Sequence, residues 1–367
     1  MLTPADDYPL HQTPEPMAFA GTDRNFYDRF FFNGYRADGD IFFACALGVY
    51  PQLNVMDASF SLSVGGRQIN LRASKEMLGN RLNLSIGPIR VEITRPFEQT
   101  RIMIEDNESG LRAELVATGR HFPIEEPRFT RRQGTRLVMD VTRATQNIDW
   151  QGTISLHGER YDVAGCLGTR DRSWGIRQVG AAESQPPAPA VTPQFYWLWT
   201  PVNLDGGAFF CHTNDDGAGV SWNRKAVFYD MDKDTKTEWG SPKFEAAYHD
   251  GTRRISDLHI EADGLRVAFK PLNRLFYMQG IGYIHPEWNH GTHHGALSVA
   301  HEELLLDEAE GLLRAGKMEN LHIQTLAEVT LDIHGTTHQG VGVIEQLFIG
   351  PHAPSGFYDL LDKIVGT

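Results

Sequence analysis

The chain is dominated by short stretches in which apolar and polar residues alternate. In Leu82-Asn83-Leu84-Ser85-Ile86 every second residue is apolar, and after Gly87-Pro88 the alternation resumes in Arg90-Val91-Glu92-Ile93-Thr94. Period two is what a strand with one buried face requires. Met56 to Val64 and Gln68 to Ala73 flank Gly65-Gly66, a tight-hairpin connection. Further hairpins are predicted for 101–105 with 111–118, for 153–156 with 160–163, and around Asp263-Gly264 for 258–261 with 265–269. Strands are also predicted at 195–200, 208–213, 225–229, 323–333 and 342–349. Only His301 to Arg314 and Ser355 to Ile364 read as helical, the second from a serine cap.

These elements predict an all-β protein with two lipocalin-like antiparallel barrels or sandwiches packed together and few short helices. Ala181 to Pro193 carries four prolines and little to bury, which makes it a connection between units. The expected division is an N-terminal barrel over 1–185, a linker over 186–194 and a C-terminal barrel over 195–367.

Composition narrows the function classes. The 367 residues are 41% hydrophobic, enough for sizeable cores, and carry 36 glycines and 19 prolines, which suit turns better than long helices. Thirty-four basic against forty-seven acidic residues give 34 − 47 = −13, a balance that repels nucleic acid. No run of about 18 apolar residues suggests a spanning helix. The first residues lack a charged and then apolar leader, and three scattered cysteines suit a reducing compartment, so a cytoplasmic location is expected.

Four segments could carry chemistry. Between Gly165 and Arg177, Arg170, Asp171, Arg172, Trp174 and Arg177 crowd together. One reading is a structural corner with Asp171 paired to an arginine. The other is that Asp171 faces an apolar cavity, where desolvation raises its pKa and makes it a proton donor. In the second segment Tyr283, His285, Glu287, Trp288, His290, His293 and His294 lie close in sequence. Neutral imidazoles suit a metal, but the spacing matches no familiar ligand pattern and no metal or other cofactor is expected; one histidine working as acid or base is preferred. Third, Trp197 and Trp199 alternate onto one strand face, as core or as pocket wall. Fourth, Glu345 interrupts an apolar strand and should pair with an arginine across an interface. Neither a nucleophile elbow nor a glycine-rich phosphate loop is present.

Three of these segments, 170–177, 282–291 and 345–352, together with Asp28 to Tyr35, resemble an uncharacterised bacterial family related to the carotenoid 1,2-hydratase (hydroxyneurosporene synthase) and AttH-like superfamily. The resemblance implies two lipocalin-like barrels with an apolar ligand site and, for better-known members, hydration or cyclisation of isoprenoid-type substrates. In the hydratases an aspartate in a Tyr-x-Asp-x-x-x-Gly context is held to protonate the alkene. Asp171 matches the aspartate and Gly175 the glycine, while Thr169 stands at the tyrosine position.

The resulting expectation is a cofactor-independent lyase or cyclase acting on a terpenoid, steroid or similar alkene-bearing molecule. Asp171 would be the acid and His285 or His290 a relay. Trp174, Tyr283, Trp197, Trp199 and Trp288 would line the pocket, with Arg170, Arg172, Arg177 and Glu345 orienting. The alternatives are a carrier or sensor of apolar molecules, or a metal enzyme using the 285–294 loop. Homodimer formation is left open.

Overall fold

The computed structural model describes residues 1–19, 23–185, 191–306, 317–362 and 364. Among them strands are the dominant regular structure, and the only helical elements are short 3-10 turns. The first part runs through β1 (Phe26–Tyr35), β2 (Ile41–Tyr50), β3 (Val55–Val64), β4 (Arg67–Glu76), β5 (Ser85–Ile86), β6 (Ile89–Arg95), β7 (Gln99–Ile104) and β8 (Leu111–Gly119). It continues through β9 (Ile124–Glu125), β10 (Phe129–Gln133), β11 (Arg136–Leu156), β12 (Glu159–Asp162) and β13 (Leu167–Arg177). After residue 194 follow β14 (Phe195–Leu204), β15 (Gly207–Asp215), β16 (Ser221–Asp230), β17 (Thr235–Trp239), β18 (Lys243–Tyr248), β19 (Ile255–Ala262) and β20 (Leu265–Tyr277). The last strands are β21 (Leu297–Leu305), β22 (Ile323–Ile333) and β23 (Thr336–Ile349).

Two antiparallel sheets result. The first follows the order β21-β4-β3-β2-β1-β13-β11-β8-β7-β6-β5, with β9, β10 and β12 paired to β11. It coils until β5 and β6 reach β3 and β4, closing over a core that includes Phe32, Phe43, Phe60, Leu115 and Trp150. The second follows β17-β16-β15-β14-β23-β22-β20-β19-β18 around Leu198, Phe209, Phe269 and Phe348. This is the all-β, lipocalin-like architecture that the alternation predicts.

A third apolar cluster lies between the sheets and takes residues from both, among them Phe31, Tyr35, Phe42, Trp199, Phe210 and Phe276. Strands β1 and β2 are therefore buried on both faces, Phe30 and Phe32 turning into the first core while Tyr27, Phe31 and Tyr35 turn to the seam. Their sequences are almost continuously apolar for that reason, and alternation does not reveal them.

Three local expectations are corrected. The glycine-flanked segment at 167–177 is not a corner but an inner strand, paired to β1 on one side and β11 on the other. Residues 301–305 of the expected helix belong to strand β21, which joins β4 in the first sheet; 307–316 lie outside the described residues. From Ser355 to Asp362 there is no helix beyond the end of the 3-10 turn Ala353–Ser355. The proline-rich stretch is described only at 181–185 and 191–194, without regular structure.

Candidate active site

Strand alternation brings the charged residues of the first sheet to the seam. In β13 the cross-strand partners of Asp171 are Phe31 in β1 and Thr145 in β11, both buried between the sheets or beside them. Asp171, Ser173 and Arg177 thus face the second sheet, while Arg170 and Arg172 take the opposite face. Arg170 lies over Phe32 and Phe97, where burial and then Arg172 lower its pKa to about 10. Arg172 bonds Asp28 and covers Phe30. Across the seam, β14 supplies Trp197 and β23 supplies Glu345 and Leu347, with His322 just before β22.

These side chains surround a cavity of about 380 Å³, walled chiefly by Asp171, Arg143, Trp197, Tyr283, His322 and Glu345, with Tyr27 and Phe129 contributing ring surface. A larger hollow of about 720 Å³ opens at the other end of β1, around Arg254, Arg274 and Tyr277. It contains no buried carboxyl, so the smaller one holds the acid–base groups.

Asp171 is only 7% exposed, and its carboxyl receives no hydrogen bond among the described residues. Its ion-pair partner is Arg143, whose Nη1 stands 3.9 Å from Oδ2. Burial raises its pKa to about 6; Arg143 pulls it down, and the negative Glu126 pushes it up. Arg143 is weak compensation because it is committed elsewhere. Its Nε donates to Glu126 Oε2 at 2.9 Å, and its guanidinium lies 4.3 Å from the Trp197 ring centre and 4.6 Å from that of Phe129. Glu126 is itself held by Thr145 and by Trp199 Nε1.

Glu345 has the opposite environment. Trp197 Nε1 and His322 Nε2 donate to Oε1 at 3.0 and 2.8 Å, and Gln324 Nε2 donates to Oε2 at 2.6 Å. Burial raises its pKa, but the donors led by His322 outweigh that and hold the carboxyl below its ordinary value. The expected arginine partner is thus replaced by a histidine, an amide and an indole, since β22 rather than a basic strand lies alongside.

Tyr283 closes the wall from the loop after β20. Arg29 Nη1 donates to its hydroxyl at 2.5 Å and lies over its ring. His290 sits behind it: Arg177 Nη2 donates to Nδ1 and Nε2 donates to the Ile281 carbonyl, both at 2.9 Å. Burial, with Arg29 and Arg177 nearby, holds His290 far below its ordinary pKa. It is a neutral, fully bonded brace outside the cavity. His285 is also outside, accepting the Glu287 and Trp288 amides at Nδ1 and turning Nε2 to Glu302.

Other expected site residues also lie away from the cavity. Trp288 stacks on His294, Trp174 is 38% exposed beside Arg172, and Trp199 packs edge-on against Phe31 and Phe210. The 285–294 histidines diverge, and no three metal-ligating side chains converge among the described residues. Asp171, Arg177, Trp197, Tyr283 and Glu345 are the predicted residues that the cavity gathers. Arg143, Glu126, His322 and Arg29 were not predicted. Only Arg29, a cation buried in the aromatic-rich β1, left a visible sign in the sequence.

The family assignment rests on a match over residues 2–358. The chain belongs to the family of unknown function DUF8625. Among solved structures this DUF8625 protein is similar to an AttH-like protein from Nitrosomonas europaea at 13% identity and a TM-score of 0.51, covering 93% of this chain and 98% of that one. It is also similar to kievitone hydratase from Nectria haematococca at 10% identity and a TM-score of 0.48, covering 87% and 88%. Comparison with the curated proteins finds no match. The AttH-like resemblance is therefore shown as a shared fold. No helix among the described residues is long and apolar enough to cross a membrane.

Proposed function

We propose that the protein is a cofactor-independent acid–base lyase or cyclase. Its substrate would be an apolar, alkene-bearing small molecule of terpenoid or steroid type, protonated by Asp171. The observation that supports this best is a buried carboxyl on a cavity wall with no hydrogen-bond donor and a pKa near 6. Such a group remains partly protonated near neutral pH and can give up its proton to a bound alkene. Once it has done so, the Asp171 carboxylate lies against the carbocation, and Glu345 supplies a second negative charge on the wall. The faces of Tyr27 and Tyr283 add quadrupole stabilisation, though each already carries a guanidinium on one side.

The test is isotopic. Protein is incubated in D₂O with linear isoprenoid alcohols and polycyclic alkenes, and product and recovered substrate are weighed by mass spectrometry. Wild type should place deuterium on carbon with at least one probe. Asp171→Asn should bind that probe and leave it unlabelled. Equal labelling by both proteins would exclude Asp171 as the donor. Probes that bind wild type and are recovered unchanged and unlabelled would instead establish a carrier.

A further inference from the structure

The hollow at the far end of the seam holds none of the acid–base groups. Its volume of about 720 Å³ lies within the range of small-molecule sites, roughly 300–1,000 Å³. We propose that it is a second binding site, whose ligand is an apolar monocarboxylate held at its head by Arg254. Both sheets build it: the first supplies Phe42 and Val64, the second Arg254, Ile255 and Tyr277. Phe42 and Ile255 are each 3% exposed, and Phe42 stacks on Phe276 with ring centres 4.9 Å apart, so this part of the wall is apolar and fixed. Tyr277 is held as firmly. Gln68 of β4 donates to its carbonyl and accepts from its amide, both at 2.8 Å. Walls fixed before a ligand arrives reduce the ordering that binding costs.

The sign of the charge selects the head group. Arg253 turns inward and is fully used, bonding the carbonyls of Phe348, Gly350, Asp359 and Asp362 and the Asp362 carboxylate. Its neighbour Arg254 lines the hollow and is half-buried. Among the described residues the side-chain bond of Arg254 runs from Nη2 to the Tyr277 hydroxyl, at 2.9 Å. A phenol leaves the guanidinium charge uncompensated, and the planar fork that remains matches a carboxylate. Asp40, His249, Asp250 and Arg274 also border the hollow, but all four are exposed at its rim, where water screens them. The stem of Arg274 crosses that rim, since a Cβ on Gly39 would come within 2.8 Å of its Cγ. One inner positive charge beside an apolar wall fits one negative charge on an apolar body.

The test uses dodecanoate and dodecan-1-ol, which share a tail and differ in charge, titrated calorimetrically into the intact chain at submillimolar concentration. Dodecanoate should bind at least about tenfold more tightly than the alcohol. Arg254→Met should bring the two affinities together, while Arg254→Lys should keep part of the preference. Hydrogen exchange places the site without any substitution: dodecanoate should protect 63–66 and 249–255 in wild type, and not 283–290 beside the Asp171 cavity. Equal affinity for acid and alcohol, absence of dodecanoate binding, or protection confined to 283–290 overturns the proposal, whether or not Arg254→Met folds. Undiminished preference for the acid in an Arg254→Met protein of wild-type Tm overturns it too.

Discussion

Asp171 and Glu345 are two carboxyls lining one cavity from opposite sheets, and their surroundings push their pKa values apart. One is buried without donors and rises to about 6; the other is buried among three donors and falls below its usual value. Such separation is how an acid and a permanent anion share a site. If Asp171 works protonated, turnover should fall as pH rises through about 6, close to tenfold per unit above it; a pH–rate profile checks this. The linkage for stability has the same direction. A raised carboxyl pKa means that the folded state binds the proton more tightly. The stabilising protonated form is complete below 3.8 and lost as pH rises towards 6. Asp171→Asn removes that penalty and should stabilise the protein at neutral pH by up to about 3 kcal/mol, read as a higher Tm at pH 7.5 than wild type. A lower Tm would mean that Arg143 holds the carboxylate more firmly than 3.9 Å suggests. Glu126→Gln should release Arg143 towards Asp171 and move the pH–rate limb to lower pH. The crowding of charge around Asp171 was legible in sequence. Arg143 and His322 were not, since Arg143 is an ordinary polar residue within β11 and His322 one just ahead of β22 until the two sheets are laid together.

At the scale of elements, hairpins were legible and double-sided strands were not. Gly65-Gly66 and Asp263-Gly264 announce their turns because positive φ is open to glycine there. Burial on both faces removes the polar half of the pattern from β1 and β2, so their period disappears. β21 failed for another reason: its exposed positions include the apolar Leu297, Val299 and Leu305, so alternation marks no buried face, and clustered Glu302, Glu303, Leu304 and Leu305 imitate a helix end. The strand that holds the acid depends on close backbone approach. A Cβ on Gly168 would come within 2.1 Å of the Asn33 carbonyl oxygen and 2.5 Å of Trp150 Nε1. Gly168→Ala should therefore force β1 and β13 apart and cost about 1–3 kcal/mol or more in denaturant unfolding. Because Asp171 is three residues on, the same variant should also impair turnover.

For the whole molecule, the seam is both the candidate site and a large part of the core. Asn33 bonds Gln324, and Asn203 bonds Tyr35, across it, so polar pairs fix the register of two greasy faces. Strand β21 adds backbone pairing: it leaves the second half of the chain and covers the β4 edge of the first sheet. A fragment ending at residue 185 would expose that edge along with Phe31, Tyr35 and Phe42. It should aggregate where the full chain stays monodisperse, as size-exclusion chromatography would show.

The returning strand also bears on how the molecule is made. A ribosome delivers β4 more than two hundred residues before β21 can reach it, and the chain emerges at roughly 5–20 residues per second. For many seconds the nascent first sheet carries an open edge and a bare greasy face at once. Strains short of holding chaperones should therefore lose this protein before they lose proteins whose sheets are completed in chain order, as soluble yields would show.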